Sequence, residues 1–331
     1  MKQADYTIAV LGSHSALQIL KGAKDEGFRT LVICLKGKDK PYRMFKVADE
    51  IRVVNRYQEL TKLTKTILIP HASLISCLGV KAVEKLRVKY FGNRKILAWE
   101  ADRVKAGQWL DQARLKQPKI FKNPAKIDRP VIVKFFGAGG GKDYFIAHST
   151  ADYQQKIKGF PKKPHLIQEY IVGVPVYAHY FYSNLNNQLE LMGFDKRYES
   201  NADGLGRISG KDQAFLKNLE SSYLVCGNLG LVVRESLLPE FIAMGERTVK
   251  VSQTIVKGGL WGPFCLETVI TDKGEIYAFE VSARIVAGTN LYINGSPYTQ
   301  LNYSEPMSTG RRIAREIKVA LETNQLNKIL C

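Results

Sequence analysis

The sequence has no apolar run long enough to cross a membrane as a helix, for which roughly 18 uninterrupted apolar residues are needed. Near its amino terminus a short apolar run ends in a glycine turn, without the cleavage site of a signal peptide. Cysteine is scarce, without metal-ligand spacing, and occurs at Cys34, Cys77, Cys226, Cys265 and Cys331. We therefore expect a cytoplasmic protein whose cysteines are small core residues in a reducing environment.

Acidic residues are fewer than basic ones, 31 against 49, which leaves a formal net charge of +18. A nucleic-acid-binding protein would concentrate its basic residues in one stripe, interleaved with aromatic side chains. Here they are spread over the chain, with only mild clusters at residues 36–46, 116–126 and 156–163. Because dispersed positive charge suits nucleotides and phosphates, we expect small-molecule substrates, and neither nucleic acid nor a membrane as a partner.

The first hundred of the 331 residues alternate between strand and helix patterns, which predicts a small parallel sheet with helices on both faces. The predicted strands are residues 6–11, 30–35, 51–54 and 67–70, and the predicted helices are residues 15–26, 57–65 and 80–90. Ligands of such a sheet lie beyond the carboxyl ends of its strands, where the turns at 12–14 and 70–73 fall.

A polar helix is predicted at 101–116, and a basic segment with several prolines at 117–130 is a plausible domain junction. After it the pattern changes to paired β runs. These are residues 131–136, 144–147, 165–171, 176–183 and 188–194. Helices are predicted at 238–256 and at 308–322, the latter with Ser308 as its cap.

An acidic hairpin at residues 263–290 is the most informative stretch of the chain. If Lys273 and Gly274 form a two-residue turn, Glu267 lies directly opposite Glu280, with Cβ atoms roughly 5 Å apart. Two opposed carboxylates repel each other, and Mg²⁺ bound together with nucleotide phosphates would offset that repulsion. The alternative is an exposed hairpin edge that carries charges.

The two faces of this hairpin differ in chemistry. Ser282 and Arg284 follow Glu280 at a spacing of two and share its face, where they would meet the metal and a phosphate. The opposite face is expected to pack into the core. It carries Leu266, Phe279, Val281 and Ala283.

Residues 131–147 are typical of a strand, a glycine-rich loop and a returning strand. Lys134 is a charge inside an apolar strand, and Lys142 lies in the loop. The loop glycines allow backbone N–H groups to wrap around phosphate oxygens, and they are Gly137, Gly139, Gly140 and Gly141. No Ser or Thr follows Lys142 and no helix comes next, so this is not a Walker A loop. The alternative is a mobile surface hairpin.

Three short segments are weaker signals. Gln168, Glu169, Tyr170 and Ile171 end a β run and can contact an adenine through backbone groups, but an ordinary strand end has the same pattern. The turn at 13–15 opens a helix and is a potential anion site, in which His14 is either a ligand or a cap. His71 and Ser73 present the same two alternatives.

The order of these segments resembles the ATP-grasp superfamily: a βαβ domain, a strand lysine with a glycine-rich hairpin loop, Gln-Glu-Tyr-Ile, then Glu…Glu-x-[Asn/Ser]-x-Arg. More narrowly, nearly the whole chain is similar to the archaeal formate-dependent synthetases that formylate 5-aminoimidazole-4-carboxamide ribonucleotide (AICAR). The similar segments are GSHSALQIL, IPHAS, ELMGFDKRYESNADGLGRI, VCGN, RESLLPE, GPFCLET, FEVSARIVAGTN and PMSTGRRIAREI.

The resemblance implies an ATP-grasp fold, mixed α/β and α+β, with an N-terminal parallel βαβ domain over residues 1–100. The ATP-grasp region would span 101–331, with a small lobe at about 125–185. The implied reaction converts ATP, formate and AICAR to ADP, phosphate and formyl-AICAR through formyl phosphate, in purine biosynthesis. The alternatives are a ligase for another carboxylate and amine, or a non-catalytic nucleotide-binding relative.

The resemblance also implies roles for particular residues. Lys134 and Arg284 would be catalytic, and Glu267 and Glu280 would hold Mg²⁺ or Mn²⁺. AICAR would contact His14, Ser73 and Asn228, the last at the end of a strand. ATP would contact Lys134, Gly137, Gly139, Gly140, Gly141, Lys142, Gln168, Glu169, Tyr170, Ile171 and Glu199. The implied reaction needs no covalent nucleophile, which agrees with the lack of a plausible Cys-His or Ser-His set in the sequence. A homo-oligomer is expected.

Overall fold

The first ninety residues build a parallel sheet, in a computed structural model that describes residues 3–63, 65–135, 144–160, 162–216, 222 and 224–331. Its strands are β1 (Thr7–Leu11), β2 (Arg29–Leu35), β3 (Glu50–Val54), β4 (Thr66–Leu68) and β5 (Lys89–Tyr90). They lie in the order β3-β2-β1-β4-β5, and every neighbouring pair is parallel. The parallel sheet predicted from the sequence is confirmed.

Two antiparallel sheets follow. The smaller has the order β7-β6-β8 and is built from β6 (Val131–Phe135), β7 (Tyr144–Ala147) and β8 (His165–Glu169). The larger has the order β11-β10-β9-β12-β13. Its strands are β9 (Val174–Ser183), β10 (Gln188–Glu199), β11 (Val225–Leu231), β12 (Gly262–Ile270) and β13 (Ile276–Ser282).

Helices cover these sheets. In the first half of the chain they are α1 (Ala16–Asp25), α2 (Lys40–Phe45), α3 (Ala72–Leu78), α4 (Val80–Glu84), α5 (Leu97–Ala101) and α6 (Arg103–Gln112). In the second half they are α7 (Thr150–Lys156), α8 (Ser200–Leu205), α9 (Gly210–Phe215), α10 (Leu238–Ile255), α11 (Thr299–Asn302) and α12 (Thr309–Glu322). Within the described residues, no helix is both long and apolar enough to span a bilayer.

The parallel sheet is apolar on both faces because both are covered. Along β1, Ile8 and Val10 pack in a core cluster with α1 and α12, whereas Ala9 and Leu11 pack in a second cluster with α3 and α4. Helices therefore cover both faces of the sheet, as predicted. On one face, α1 is joined by α12 from the far end of the sequence. Ser308 caps α12 as predicted, since its Oγ accepts a hydrogen bond from the Arg311 N–H at 3.0 Å.

Several predicted elements have different bounds. The helix predicted at 57–65 is a 3₁₀ helix over Tyr57–Lys62, and the one predicted at 80–90 ends at Glu84, before the edge strand β5. The polar helix predicted at 101–116 begins as α6 at Arg103. The extended backbone of Asp102 ends α5, and its carboxylate accepts hydrogen bonds from the first turn of α6.

The prediction that the cysteines are core residues is right for Cys34 and Cys265, which are buried. It is wrong for the others, which are exposed: Cys77, Cys226 and Cys331. An apolar neighbourhood in the sequence does not determine which side of a helix or strand a residue occupies.

Helices α1 and α12 approach at the level of their backbones. A Cβ atom at Gly22 would overlap the backbone nitrogen of Arg311, and one at Gly310 would overlap the carbonyl of Gln18. Beside this contact, the buried Glu26 carboxylate pairs with Arg311 and Arg315, each at 2.7 Å. The last helix is thus fixed against the first.

Gly22→Ala should lower the free energy of unfolding by about 1–3 kcal/mol, because the added methyl group must push the two helices apart. Gly107→Ala is the matched control, since a Cβ there meets only a Gln117 side-chain oxygen at 3.8 Å. In the control, helix propensity should raise stability by up to about 1 kcal/mol. Urea denaturation measures both variants, and equal stabilisation by the two would contradict the close approach.

Candidate functional site

Glu267 on β12 and Glu280 on β13 lie directly opposite each other, as predicted, but the predicted turn is wrong. The strands end at the Ile270–Ile276 pair, joined by a loop of residues 271–275 rather than by a two-residue turn. A β-bulge then follows, since the pairing shifts by one residue between Thr268–Ala278 and Glu267–Glu280. The longer loop displaces the register by one residue and the bulge restores it, so the opposed carboxylates remain.

The bulge also corrects the predicted position of Phe279. The sequence pattern placed it on the core face, but the extra residue in β13 turns it away. Its ring packs edge-on against Tyr177 at 6.5 Å between centroids, and the Lys134 ammonium lies 4.9 Å from its centre. Phe279 therefore contributes to the candidate site, while Ala278 packs in the core.

Glu267 is buried, with 3% of its surface exposed, and accepts a hydrogen bond from Arg197 on β10. Burial raises the pKa of the Glu267 carboxyl to about 7, and the Glu280 carboxylate adds to the rise while Arg197 opposes it. Arg197 also stacks over the Tyr177 ring at 4.1 Å. In the ligand-free protein, Arg197 is thus the cation that offsets the negative charge of the buried Glu267 carboxylate.

Glu280 is more open, with 42% of its side chain exposed, and among the described residues the nearest cation is Arg103 at 4.0 Å. Among the described residues, no group of three or more His, Cys, Asp or Glu side chains is placed to hold a metal ion. Two carboxylates leave most coordination positions of a divalent ion to other oxygens. The pair therefore fits Mg²⁺ that arrives with nucleotide phosphates, and does not fit a cage made of protein ligands alone.

Lys134 projects from β6 toward this acidic pair and donates a hydrogen bond to Gln168 Oε1 on β8 at 3.0 Å. Burial lowers the pKa of the Lys134 ammonium, and the nearby Glu280 carboxylate opposes that fall. The role of Lys134 in ATP binding stays a prediction. The predicted phosphate loop, Gly137, Gly139, Gly140, Gly141 and Lys142, lies outside the described residues.

The predicted adenine-binding segment, residues 168–171, begins within β8 and continues past the end of that strand at Glu169. The Glu169 carboxylate has protein partners, accepting from Arg129 at 2.8 Å and from the Lys119 N–H at 3.0 Å. Tyr170 donates its N–H to the Pro130 carbonyl. Glu199 lies at the end of β10, where partial burial raises the pKa of its carboxyl. Nucleotide contacts at these residues stay predictions.

Arg284 is held by a carboxylate that sequence reasoning missed. Its Nε lies 2.8 Å from Glu100 Oε1, and the Ala283 N–H donates to Glu100 Oε2 at 2.9 Å. Both side chains are largely buried, which makes the pair more rigid than a surface ion pair. Glu100 lies near the end of α5, so this contact joins the segment before the predicted domain junction to the exit of the acidic hairpin.

The two turns at the carboxyl ends of β1 and β4 meet, as predicted. His71 caps α3, since its Nδ1 accepts from the Ser73 N–H at 3.2 Å and its Nε2 donates to the Leu11 carbonyl at 3.0 Å. Ser73 Oγ hydrogen-bonds Ser13 Oγ at 2.9 Å. The turns therefore form one small polar surface.

His14 is not the cap of α1, whose N-cap residue is Ser15. It adopts a φ of 53°, stacks on His71 at 5.4 Å between ring centroids, and contacts Ser15 Oγ through Nδ1 at 2.8 Å. Burial lowers its pKa to about 3, with further lowering from His71, Arg284 and Arg197. Its ring is therefore neutral at pH 7 and lies near the same arginines as the acidic pair.

The contribution of His14 and His71 to the stability of the ligand-free protein should fall as the pH drops below about 6.5, while Glu267, whose pKa is raised, contributes with the opposite sign. The unfolded chain then binds protons that the folded His14 and His71 refuse, their pKa values being lowered by burial to about 3 and about 4. Each histidine contributes up to about 1.4 kcal/mol per pH unit. His14→Asn, which tolerates the positive φ, should make the slope of unfolding free energy against pH shallower. An unchanged slope between pH 6.5 and 4.5 would contradict the assignment.

Asn228 lies in the middle of β11, not at a strand end as predicted, and pairs in register with Arg197 on β10. Its Nδ2 donates to Asp195 Oδ2 at 2.6 Å. Arg197 thus stands between Asn228 and Glu267, and connects the predicted AICAR and metal residues. Sequence reasoning missed it, because Arg197 lies in the charged end of β10, DKRYE, where a single cation does not stand out.

Two family models match the chain, one described as a domain of unknown function (DUF1297) over residues 153–331 and one as a protein of unknown function (DUF1246) over residues 8–121. Curated relatives extend over almost the full length. A protein of Pyrococcus horikoshii, 53% identical over 98% of this chain and 99% of its own, is named 5-formaminoimidazole-4-carboxamide-1-(beta)-D-ribofuranosyl 5'-monophosphate synthetase. A protein of Methanocaldococcus jannaschii with the same name is 46% identical over 98% and 95%.

Solved structures agree with this similarity. The crystal structure of an IMP biosynthesis protein, PurP from Thermococcus kodakaraensis, matches with a TM-score of 0.82 and 29% identity, over 98% of this chain and 100% of that one. The ADP complex of PurK, an N5-carboxyaminoimidazole ribonucleotide synthetase, matches at a TM-score of 0.67 and 15% identity, over 96% and 78%. The second match bears on the fold alone.

Proposed function

The chain belongs to the family of 5-formaminoimidazole-4-carboxamide ribonucleotide synthetases, and on that premise we propose that it formylates AICAR with formate and ATP. The ATP-grasp fold predicted from the sequence is confirmed by the structural matches. The observation that carries the proposal is one site in which an opposed acid pair, Glu267 and Glu280, faces Lys134, Arg197 and Arg284.

Formate is a poor electrophile because its carboxylate carries negative charge. An oxygen of formate attacks the γ-phosphorus of ATP, the bond to the β-phosphate oxygen breaks, and ADP leaves. The resulting formyl phosphate has an activated carbonyl carbon. The 5-amino group of AICAR attacks that carbon, loses a proton, and expels phosphate, which keeps the bridging oxygen that came from formate.

Phosphoryl transfer depends on charge neutralisation and alignment rather than on a covalent protein intermediate. Lys134, beside the acidic pair, would bind a phosphate oxygen of ATP, and phosphate would favour its charged form. Arg284 would neutralise the transferred group, with Glu100 holding its guanidinium in place. Arg197 would favour the ionised form of the buried Glu267, because it lowers the pKa of that carboxyl.

We assign the divalent metal to Glu267 and Glu280, whose two carboxylates suit Mg²⁺ shared with nucleotide phosphates. When bound, the ion neutralises charge on the phosphates. The ribotide is assigned to the turns that carry His14 and Ser73, at a helix N-terminus and beyond parallel strands, and to Asn228 on β11. The domain bounds and a homo-oligomeric state stay predictions.

The test is ADP release from the purified protein with ATP and Mg²⁺, with formate and AICAR added singly and together. We expect sustained ADP release and formyl-AICAR only when both are present. Release with another carboxylate and amine, but none with formate and AICAR, would assign the chain to a different ligase reaction. Release with no acid and amine pair, despite ATP binding, would contradict an enzymatic role.

A further inference from the structure

A row of hydrogen-bonded polar side chains crosses three neighbouring strands and includes Asn228, one of the predicted ribotide contacts. His179 on β9 donates from Nε2 to Asp195 Oδ1 on β10 at 2.7 Å, and Asn228 on β11 donates from Nδ2 to Asp195 Oδ2 at 2.6 Å. His179 and Asp195 are 1% and 2% exposed, whereas Asn228 is only half-buried. This row of side chains therefore runs from the interior of the sheet toward the candidate site.

The histidine has no second polar partner in the described part of the chain, since its buried Nδ1 accepts no hydrogen bond there. A buried polar atom without a partner lowers stability. The compensating interaction is the bond from Nε2 to Asp195, which keeps one carboxylate oxygen occupied and fixes the plane of the carboxylate. The other oxygen then faces Asn228.

An ionised carboxylate only accepts hydrogen bonds, so the amide of Asn228 must turn its NH₂ group toward Asp195. Its carbonyl oxygen accepts no hydrogen bond within the described residues and is left for a ligand. We propose that Asp195, fixed by His179, is a positioning residue that makes Asn228 a hydrogen-bond acceptor for an N–H group of the ribotide. This inference rests on the proposed function.

The Asp195 carboxylate also contacts a second segment of the candidate site. A Cβ at Gly288 would overlap the Asp195 carboxylate, so the segment after β13 packs directly on it. Two residues later, Asn290 donates to the His14 carbonyl at 3.1 Å, and it accepts from Gln18 at 2.8 Å. Asp195 thus supports two of the three predicted AICAR contacts, Asn228 directly and His14 through this segment.

The proposal predicts which substrates are rejected. AICAR carries N–H donors on its 5-amino group and its carboxamide, whereas a ribotide with only acceptors there would oppose the Asn228 carbonyl. A site built to accept a hydrogen bond discriminates strongly against a ligand that lacks the donor. Specificity for a ribotide that carries an amine would therefore depend on His179 on β9, two strands away from Asn228 on β11.

The test exchanges the two side chains. Asp195→Asn should turn the Asn228 amide over, because its own NH₂ group replaces a carboxylate oxygen, and Asn228→Asp should bring two carboxylates into contact. We expect either single variant to raise both the KM and the Kd for AICAR about tenfold or more. In the double variant, the amide now at position 195 accepts from His179 and donates to the carboxylate now at position 228, which leaves a free acceptor oxygen. Affinity should return to within about twofold of wild type.

An unrescued double variant that is folded and binds ATP would overturn the proposal, since it would mean that Asn228 donates to the ligand. Exposed Asp111→Asn is the matched control and should leave KM unchanged. If the wild-type protein binds no AICAR, the proposed function fails and this inference falls with it. Should the variants unfold, the wild-type Asn228 side-chain N–H signals decide: AICAR should leave the proton bonded to Asp195 unshifted, and a large shift would overturn the proposal.

Discussion

Glu267→Gln should lower the rate of ADP formation by about 100-fold or more, because the charge that anchors the divalent ion is removed. A metal ion stabilises phosphoryl transfer by several kcal/mol, and each 1.36 kcal/mol is worth about a factor of ten. Glu280→Gln should have a similar effect, since its carboxylate is the opposite half of the pair. The measurement is ADP release at saturating ATP, formate and AICAR over a range of Mg²⁺ concentrations.

The control for the acid pair is Glu275→Gln in the loop of the same hairpin. That carboxylate is exposed and pairs with Lys116 at 2.6 Å, away from the site, so the rate should stay near that of wild type. A Glu267→Gln or Glu280→Gln variant that turns over at the wild-type rate in low Mg²⁺ would show that the metal assignment is wrong.

Lys134→Met should weaken ATP binding about tenfold or more, because an apolar chain of similar length replaces a cation that faces phosphate. Hydrogen bonds to charged groups contribute about 1.5–3 kcal/mol. The dissociation constant for ATP, measured by titration calorimetry without formate or AICAR, reports this loss directly. Folding should be retained, since the methionine side chain can pack against the Phe279 ring, which the Lys134 ammonium contacts in the wild-type protein.

Lys158→Met provides the matched control beside the same small sheet, where the lysine is exposed. Its affinity for ATP should equal that of the wild-type protein. If Lys134→Met also binds ATP with unchanged affinity, Lys134 serves only its hydrogen bond to Gln168 and the phosphate site lies elsewhere.

The sequence was most informative where function depends on local pattern. The alternation of strands and helices predicted the parallel sheet, and strand ends predicted that the turns of Ser13 and Ser73 meet. Opposition of Glu267 and Glu280 was also predicted, although through a turn that does not form. The longer loop and the bulge each shift the register by one residue, in opposite directions, so the two shifts cancel at Glu267 and Glu280. Phe279 shows that they occur, because the bulge reverses the side of the strand on which it projects.

The remainder of the site depends on pairings between distant parts of the chain. Arg197 contacts Glu267 across 70 positions, and Glu100 holds Arg284 from a still greater distance along the chain, where no periodicity links the partners. Asp195 had no signal of its own, since an acidic residue in a strand is equally typical of a solvated face. Burial and partners, rather than residue type, identify these three side chains as parts of the site.

Activation of formate by phosphoryl transfer is the step on which the roles of the site residues depend most. Formate labelled with ¹⁸O at both oxygens, supplied with unlabelled ATP and AICAR, tests that step directly by mass spectrometry of the products. We predict that each phosphate released carries one ¹⁸O and that each formyl-AICAR carries the other. Phosphate without ¹⁸O, formed together with formyl-AICAR, would contradict formyl phosphate as the intermediate and with it the roles assigned to Lys134 and Arg284.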